Sequence, residues 1–192
     1  VKDLSTLRPD VIVVSGLAYG VEIHCHRFAL TNRLATVGVL AHGLEQIYPR
    51  MHRDTAAEMV KQGGLLTEYL SQTPMDKRHF VQRNRIVAGR ADAVVVVESA
   101  RKGGSLITAE FANGYNRDVF AFPGRINDTY SAGCNKLIRE NRAALITSAE
   151  DFVQMLGWAT DIERRQKLAD GIQQELLPTL SSDEQRIIDC LQ

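Results

Sequence analysis

At 192 residues, with 44% apolar and 24% charged residues, the chain has the composition of a soluble globular protein holding one good-sized domain and a small appendage. No apolar run approaches the roughly 20 residues that span a bilayer. Three scattered cysteines, Cys25, Cys134 and Cys190, make no disulfide framework, so the expectation is a cytoplasmic protein with no membrane partner. The formal net charge is zero, which excludes a uniformly basic surface but not a local one.

Taken in chain order, Val1–Leu7 reads as the tail of a helix. Short β-branched runs then recur at Val11–Val14, Thr36–Leu40, Leu65–Thr67, Ala93–Val97, Val119–Phe122 and Ala144–Ile146, and read as strands. Helices are predicted near residues 20–32, 52–62, 79–90, 105–116, 134–141 and 149–156, the last capped by Ser148 with acids in its first turn. The run Ala93-Val94-Val95-Val96-Val97 shows no alternation, as expected of a parallel strand covered on both faces. Strand–helix alternation throughout predicts an α/β fold, a doubly wound, mostly parallel sheet with helices on both faces. The pattern divides the chain into a domain over 1–158, a polar linker over 159–179, and residues 180–192 as the start of a helical domain. A helix tail at the front, with no strand before it, predicts a fragment lacking its first strand.

Charge is unevenly spread. Residues 161–192 carry 7 acidic and 4 basic residues, which leaves 16 acidic and 19 basic upstream. Within 77–102, Lys77, Arg78, Arg83, Arg85, Arg90, Arg101 and Lys102 face only Asp92 and Glu98. Such a patch on a neutral protein is an electrostatic footprint for an anion.

Glycine-bearing turns fall at the carboxyl ends of predicted strands, where open α/β sheets bind ligands. Ser15-Gly16-Leu17-Ala18-Tyr19-Gly20 opens one helix, and Gly103-Gly104-Ser105-Leu106-Ile107-Thr108 opens another beside Arg101 and Lys102. Two glycines, a hydroxyl and free helix N–H groups make the second turn the better phosphate cradle. A third, Pro123-Gly124-Arg125, precedes Ser131-Ala132-Gly133-Cys134-Asn135. None is a Walker A loop. His24-Cys25-His26 lacks metal-ligand spacing, because residues two apart on a helix diverge, and no nucleophile–base set emerges. The reading assigns no catalytic residues and no metal.

These turns, in this order, resemble the DprA/Smf family of DNA-processing proteins. Residues Ser15 to Glu22 with His26 are similar to the family's Ser-Gly-Leu-Ala-x-Gly-Ile-Asp…His signature, with Glu22 in place of the usual Asp. Gly43 to Pro49, Arg83 to Gly89, Gly104 to Ala109 and Gly133 to Ile138 follow at the family's spacing, and the likeness runs from about residue 9 to 150. The family's leading Gly-Ser-Arg strand end is absent from this chain.

The resemblance implies an extended Rossmann-like fold that binds single-stranded DNA, forms a homodimer and helps load the RecA recombinase, with no catalysis and no cofactor. It also implies a winged-helix-like domain beginning after Leu180. On that reading Arg83, Asn84 and Arg85 line a DNA pocket, and Lys102, Gly103, Gly104, Ser105 and Thr108 hold a phosphate. Arg50 extends the basic path, and Gly16 and Leu17 shape the floor. Tyr48 and Phe80 are the nearest candidates for stacking on bases. Two rivals stand beside it. One is a LOG-like phosphoribohydrolase acting on nucleoside monophosphates, although Leu106 and Ile107 occupy the Gly-Thr places of that enzyme's loop. The other is a nucleotide-sensing domain.

Overall fold

Each β-branched run becomes a strand and each amphipathic stretch after it a helix. The computed structural model describes residues 1–158; the expected linker at 159–179 and the segment 180–192 lie outside the described residues. The elements are α1 (Lys2–Leu7), β1 (Val13–Ser15), α2 (Val21–Thr31), β2 (Thr36–Val39), a 3₁₀ turn (Arg50–His52), α3 (Arg53–Gln62) and β3 (Gly64–Leu66). They continue as α4 (Lys77–Arg90), β4 (Ala93–Val96), α5 (Gly104–Gly114), β5 (Asp118–Ala121), α6 (Ala132–Arg139), β6 (Ala144–Leu145) and α7 (Ala149–Met155). Every strand and helix predicted within residues 1–158 is present, with boundaries shifted by a few residues.

Caps explain where the helices begin. The Asp76 carboxylate accepts the Arg78 N–H at 2.8 Å, so α4 starts at Lys77, two residues before the expected position. The same Arg78 guanidinium holds the Asp76 carboxyl below its ordinary range. Ser148 caps α7 as expected, accepting the Asp151 N–H at 3.1 Å. The Asp151 carboxylate reaches back to accept from the Thr147 N–H and hydroxyl.

All ladders are parallel, but they form two three-stranded sheets, β1-β2-β3 and β4-β5-β6, where the sequence pattern suggested one. Among the described residues β1 and β4 each pair on one side only. This corrects the reading of the valine run as covered on both faces: Val95 is 37% and Val97 43% exposed. With no strand extending the sheet beyond β4, no layer closes over those side chains.

Three clusters fill the interior. Leu17, Ile23, Leu40, Ala56 and Met59 seat α2 and α3 on the first sheet. Small residues (Ala88, Ala109, Ala112, Ala121) with Val96, Val119, Cys134 and Leu137 let α4, α5 and α6 pack closely on the second. Phe120, Ile146, Phe152 and Val153 bring α7 against α1 through Leu4, Leu7 and Trp158. Phe152 and Trp158 therefore serve the core, while Met155 stays exposed.

One buried polar contact ties α2 to the sheet. His26 is fully buried, with Nδ1 2.7 Å from Thr36 Oγ1, and Thr36 donates its own proton to the Val13 carbonyl at 2.9 Å. Nδ1 therefore carries the imidazole proton, and Nε2 has no partner among the described residues. Burial, reinforced by the Arg83 and His52 charges, lowers the His26 pKa from 6.5 to about 4. Between those values the unfolded chain binds the extra proton and the folded one does not. Stability is thus expected to fall as pH drops from 6.5 to 4, by at most about 3 kcal/mol. Urea midpoints measured across that range for the native chain and for His26→Gln check this. Equal acid slopes in the two proteins would contradict a buried neutral His26.

Candidate functional site

The turns after β1, β4 and β5 sit at the carboxyl ends of their strands, and their backbone donors are used very differently. In the first turn Glu22, one residue into α2, sends its Oε2 back to accept the N–H groups of Gly16 at 2.8 Å and Ala18 at 3.1 Å. A carboxylate of the chain itself already occupies the anion position that the glycines create. Leu17 adopts φ +60° with its side chain fully buried, and its carbonyl accepts from His52 Nδ1 at 2.8 Å. Core packing and this hydrogen bond hold a backbone conformation that a leucine otherwise avoids. Gly16 and Leu17 are both buried.

Arg83 occupies the space above Gly16. Only 3% exposed, it donates through Nη1 to the carbonyls of Gly16 (2.7 Å) and Val39, so it gathers the carboxyl ends of β1 and β2. A Cβ on Gly16 would collide with the guanidinium, which explains a glycine there. Burial pushes the Arg83 pKa down, and the nearby Glu22 carboxylate opposes that shift. Sequence reasoning set Arg83 on a pocket wall; the structure places it beneath the surface as an internal brace. Its neighbour Asn84 donates from Nδ2 to the Gly104 carbonyl at 3.3 Å. Two consecutive residues of α4 therefore hold the turn of one sheet and the helix start of the other. Arg85 forms an ion pair with Glu68.

The second turn is open. Gly103 is the N-cap of α5 in an extended conformation, and no side chain caps the helix. Leu106 N–H is taken by the Gly103 carbonyl at 3.2 Å, and the Thr108 hydroxyl turns back to the Gly104 carbonyl at 3.3 Å. The first amides of α5, at Gly104 and Ser105, have no partner in the helix by construction. Arg101 and Lys102 precede them, exposed and in no ion pair among the described residues.

The third turn is closed. Gly133 N–H donates to the Ser99 carbonyl at 2.8 Å, and a Cβ there would stand 2.5 Å from the Ala100 carbonyl oxygen. Asn135 clamps Gly124 through both its amide atoms. α6 thus buttresses the loop that presents α5.

The basic run 77–102 resolves accordingly. Arg78, Arg83 and Arg85 are engaged internally, whereas Arg101 and Lys102 flank the open turn and Arg50 stands exposed on the 3₁₀ turn. A cleft of about 580 Å³ lies along α4, between the end of β3 and Arg90, Tyr115 and Arg117. The hydrogen-bonding roles of Glu22 and His52 and the bond from Asn84 to the Gly104 carbonyl were not legible at the sequence level; an acid two residues after Gly20 was the available signal for the first. Among the described residues, no group of three or more His, Cys, Asp or Glu could hold a metal. No helix among them is long and apolar enough to cross a membrane.

Comparison with known proteins shows the family and the fold. The family model for DNA recombination-mediator protein A matches residues 3–157. The DNA processing protein DprA of Bacillus subtilis (strain 168) is 42% identical over 149 residues, 78% of this chain and 50% of the relative. The X-ray structure of DNA processing protein A from Streptococcus pneumoniae superposes with a TM-score of 0.72 at 39% identity, covering 80% of this chain and 54% of that one. DNA processing protein A from Helicobacter pylori, described for its single-stranded DNA binding mode, shares the fold at a TM-score of 0.63 and 23% identity, over 80% of this chain and 82% of that one. The chain spans about half the length of the Bacillus and Streptococcus proteins it matches. With the family model covering most of its length and the same fold in a solved relative, the chain belongs to the DNA recombination-mediator protein A family, the DprA/Smf proteins.

Proposed function

We propose that this chain is a non-catalytic single-stranded DNA-binding protein of DNA uptake and natural transformation. It protects the incoming strand in the cytoplasm and, as a homodimer, helps load the RecA recombinase. The observation that carries the DNA-binding part is the uncapped start of α5: unpaired amides at Gly104 and Ser105, with Arg101 and Lys102 beside them at the carboxyl edge of β4. Helix N-termini of this kind hold phosphate oxygens through backbone N–H groups, which recognise the repeating backbone of a strand rather than its sequence. The homodimer and the recombinase contact rest on family membership.

The non-catalytic reading is supported by the residues after the second turn. Leu106 packs against the core of the second sheet and Ile107 is half-buried beside it. Branched side chains stand where a phosphoribohydrolase loop needs glycine for close backbone approach. In this reading Gly104, Ser105, Lys102 and Arg50 contact phosphates, which their exposure supports, while Arg83 braces the first turn and Asn84 holds the Gly104 carbonyl. Gly103 shapes the turn, Thr108 stiffens the first turn of α5, and Arg85 lends its charge from beside Glu68.

Fluorescence titration of labelled oligo-dT at several salt concentrations tests the binding. The logarithm of affinity is expected to fall linearly with the logarithm of salt, by roughly 0.7 per contacted phosphate. Lys102→Ala should flatten that slope by about one contact and weaken all sequences alike. No binding at low salt, together with release of ribose 5-phosphate from AMP, would replace this reading with the hydrolase.

Arg83→Ala separates a brace from a contact. As a brace, its loss lowers the melting temperature and weakens binding to every sequence by about 1–3 kcal/mol, with the salt slope unchanged. A flattened slope at native stability would instead put the guanidinium on a phosphate.

A further inference from the structure

We infer that Tyr19 and Tyr48 form a ledge on which successive bases of a DNA strand stack, beside the phosphate-binding start of α5; this rests on the single-stranded DNA reading above. Tyr19 is 62% and Tyr48 47% exposed, so both rings stand in solvent at the carboxyl edge of the first sheet. Isolated exposed apolar groups are common on protein surfaces and carry no meaning singly. These two differ because each ring is braced by a second ring, Tyr19 by His52 and Tyr48 by Phe80.

Tyr19 meets the His52 ring edge-on, with centroids 5.2 Å apart and an interplanar angle of 69°. His52 is buried and fixed by its hydrogen bond to the Leu17 carbonyl. Tyr48 meets Phe80 of α4 edge-on at 5.8 Å and 66°. The Tyr48 N–H donates to His42 Nε2 at 3.2 Å, and His42, itself buried, donates from Nδ1 to the Gly43 carbonyl at 2.9 Å. The His52 N–H closes the segment onto the Pro49 carbonyl at 2.9 Å. Residues 48–52 thus carry one of the rings, Tyr48, and the partner of the other, His52. Edge-to-face contacts hold a ring's orientation while leaving a face free, so little motion is lost when a base lands on it.

Charge identifies the occupant. Arg50 lies between the two rings in sequence and Arg53 follows; both are exposed and in no ion pair among the described residues. Glu45, the preceding acid, is turned away to accept the Gln72 N–H at 3.0 Å. An aromatic ledge with unpaired cations suits a ligand that carries flat bases on an anionic backbone. That combination is how sequence-tolerant proteins hold single strands. Phe80, half-buried behind Tyr48, is the brace rather than a platform.

The test compares oligo-dT with an abasic strand of equal length and charge. The native chain is expected to bind oligo-dT about tenfold more tightly than the abasic strand. Tyr19→Leu/Tyr48→Leu should abolish that preference while the salt slope and melting temperature stay native. Tyr19→Phe/Tyr48→Phe should restore it, since the ring and not the hydroxyl does the stacking. Equal affinity of the native chain for both strands, or a preference that survives the leucine pair, overturns the ledge while leaving phosphate binding intact. Absence of binding to either strand at low salt overturns the single-stranded DNA reading and the ledge with it.

Discussion

A guanidinium placed where water cannot reach it sets the shape of the whole carboxyl edge. Arg83 donates to the carbonyl of Gly16, just after β1, and to that of Val39, the last residue of β2, acceptors that would otherwise stand unsatisfied at the sheet's end. The charge is compensated by Glu22, whose carboxylate is held in turn by the amides of Gly16 and Ala18. Helix, turn and strand ends are therefore locked by one buried cation and one carboxylate. Asn84, next along α4, carries the same constraint to α5 through the Gly104 carbonyl. Because the two sheets share no ladder, α4 is the element that keeps their turns in register.

This arrangement divides the glycine turns by task. The first is filled from within by Glu22, so its donors serve the fold. The third is consumed by the Ser99–Gly133 and Gly124–Asn135 contacts, which fix the loop bearing Arg101 and Lys102. The second leaves the first amides of α5 without a side-chain cap, with Arg101 and Lys102 exposed just before them. A site built this way is preorganised: its donors are aimed before any ligand arrives, and no loop need refold to bind one.

Much of the fold was legible because its signals are local. Runs such as Ala93–Val97 and Asp118–Ala121 are short, β-branched and bounded by turns, and the Ser148 cap is a two-residue pattern. The separation into two sheets was not legible, because strand partners are decided across the chain and a valine run reads the same at an edge as in a centre. The cation site was legible only by residue type. Arg78, Arg83 and Arg85 look equivalent along α4, yet one pairs with a capping acid, one is buried among carbonyls and one meets Glu68. Which arginine faces solvent depends on the crossing of α4 over β1 and β2, and the sequence encodes that only through packing. Glu22 escaped notice for a related reason, since an acid in a first helical turn is ordinarily accounted for by the helix dipole.

The pairing pattern also explains how a chain with no net charge can present a basic edge. Asp10, Glu58, Glu68, Glu110 and Glu140 each hold a neighbouring arginine or lysine, as Asp76 holds Arg78. Arg50, Arg101, Lys102 and Arg125, all on segments that follow strand ends, are exposed and outside these pairs. Arg101 and Lys102 lie beside the open helix start and set a local positive field there. Long-range attraction from such a field is weak at physiological salt, where screening sets in within about 8 Å. On the proposed single-stranded DNA reading, affinity comes from contacts made at short range, by amides and cations on phosphates and by rings on bases. A neutral chain with few aromatic residues meets that demand by holding those few in fixed positions, as His52 does for Tyr19 and Phe80 for Tyr48.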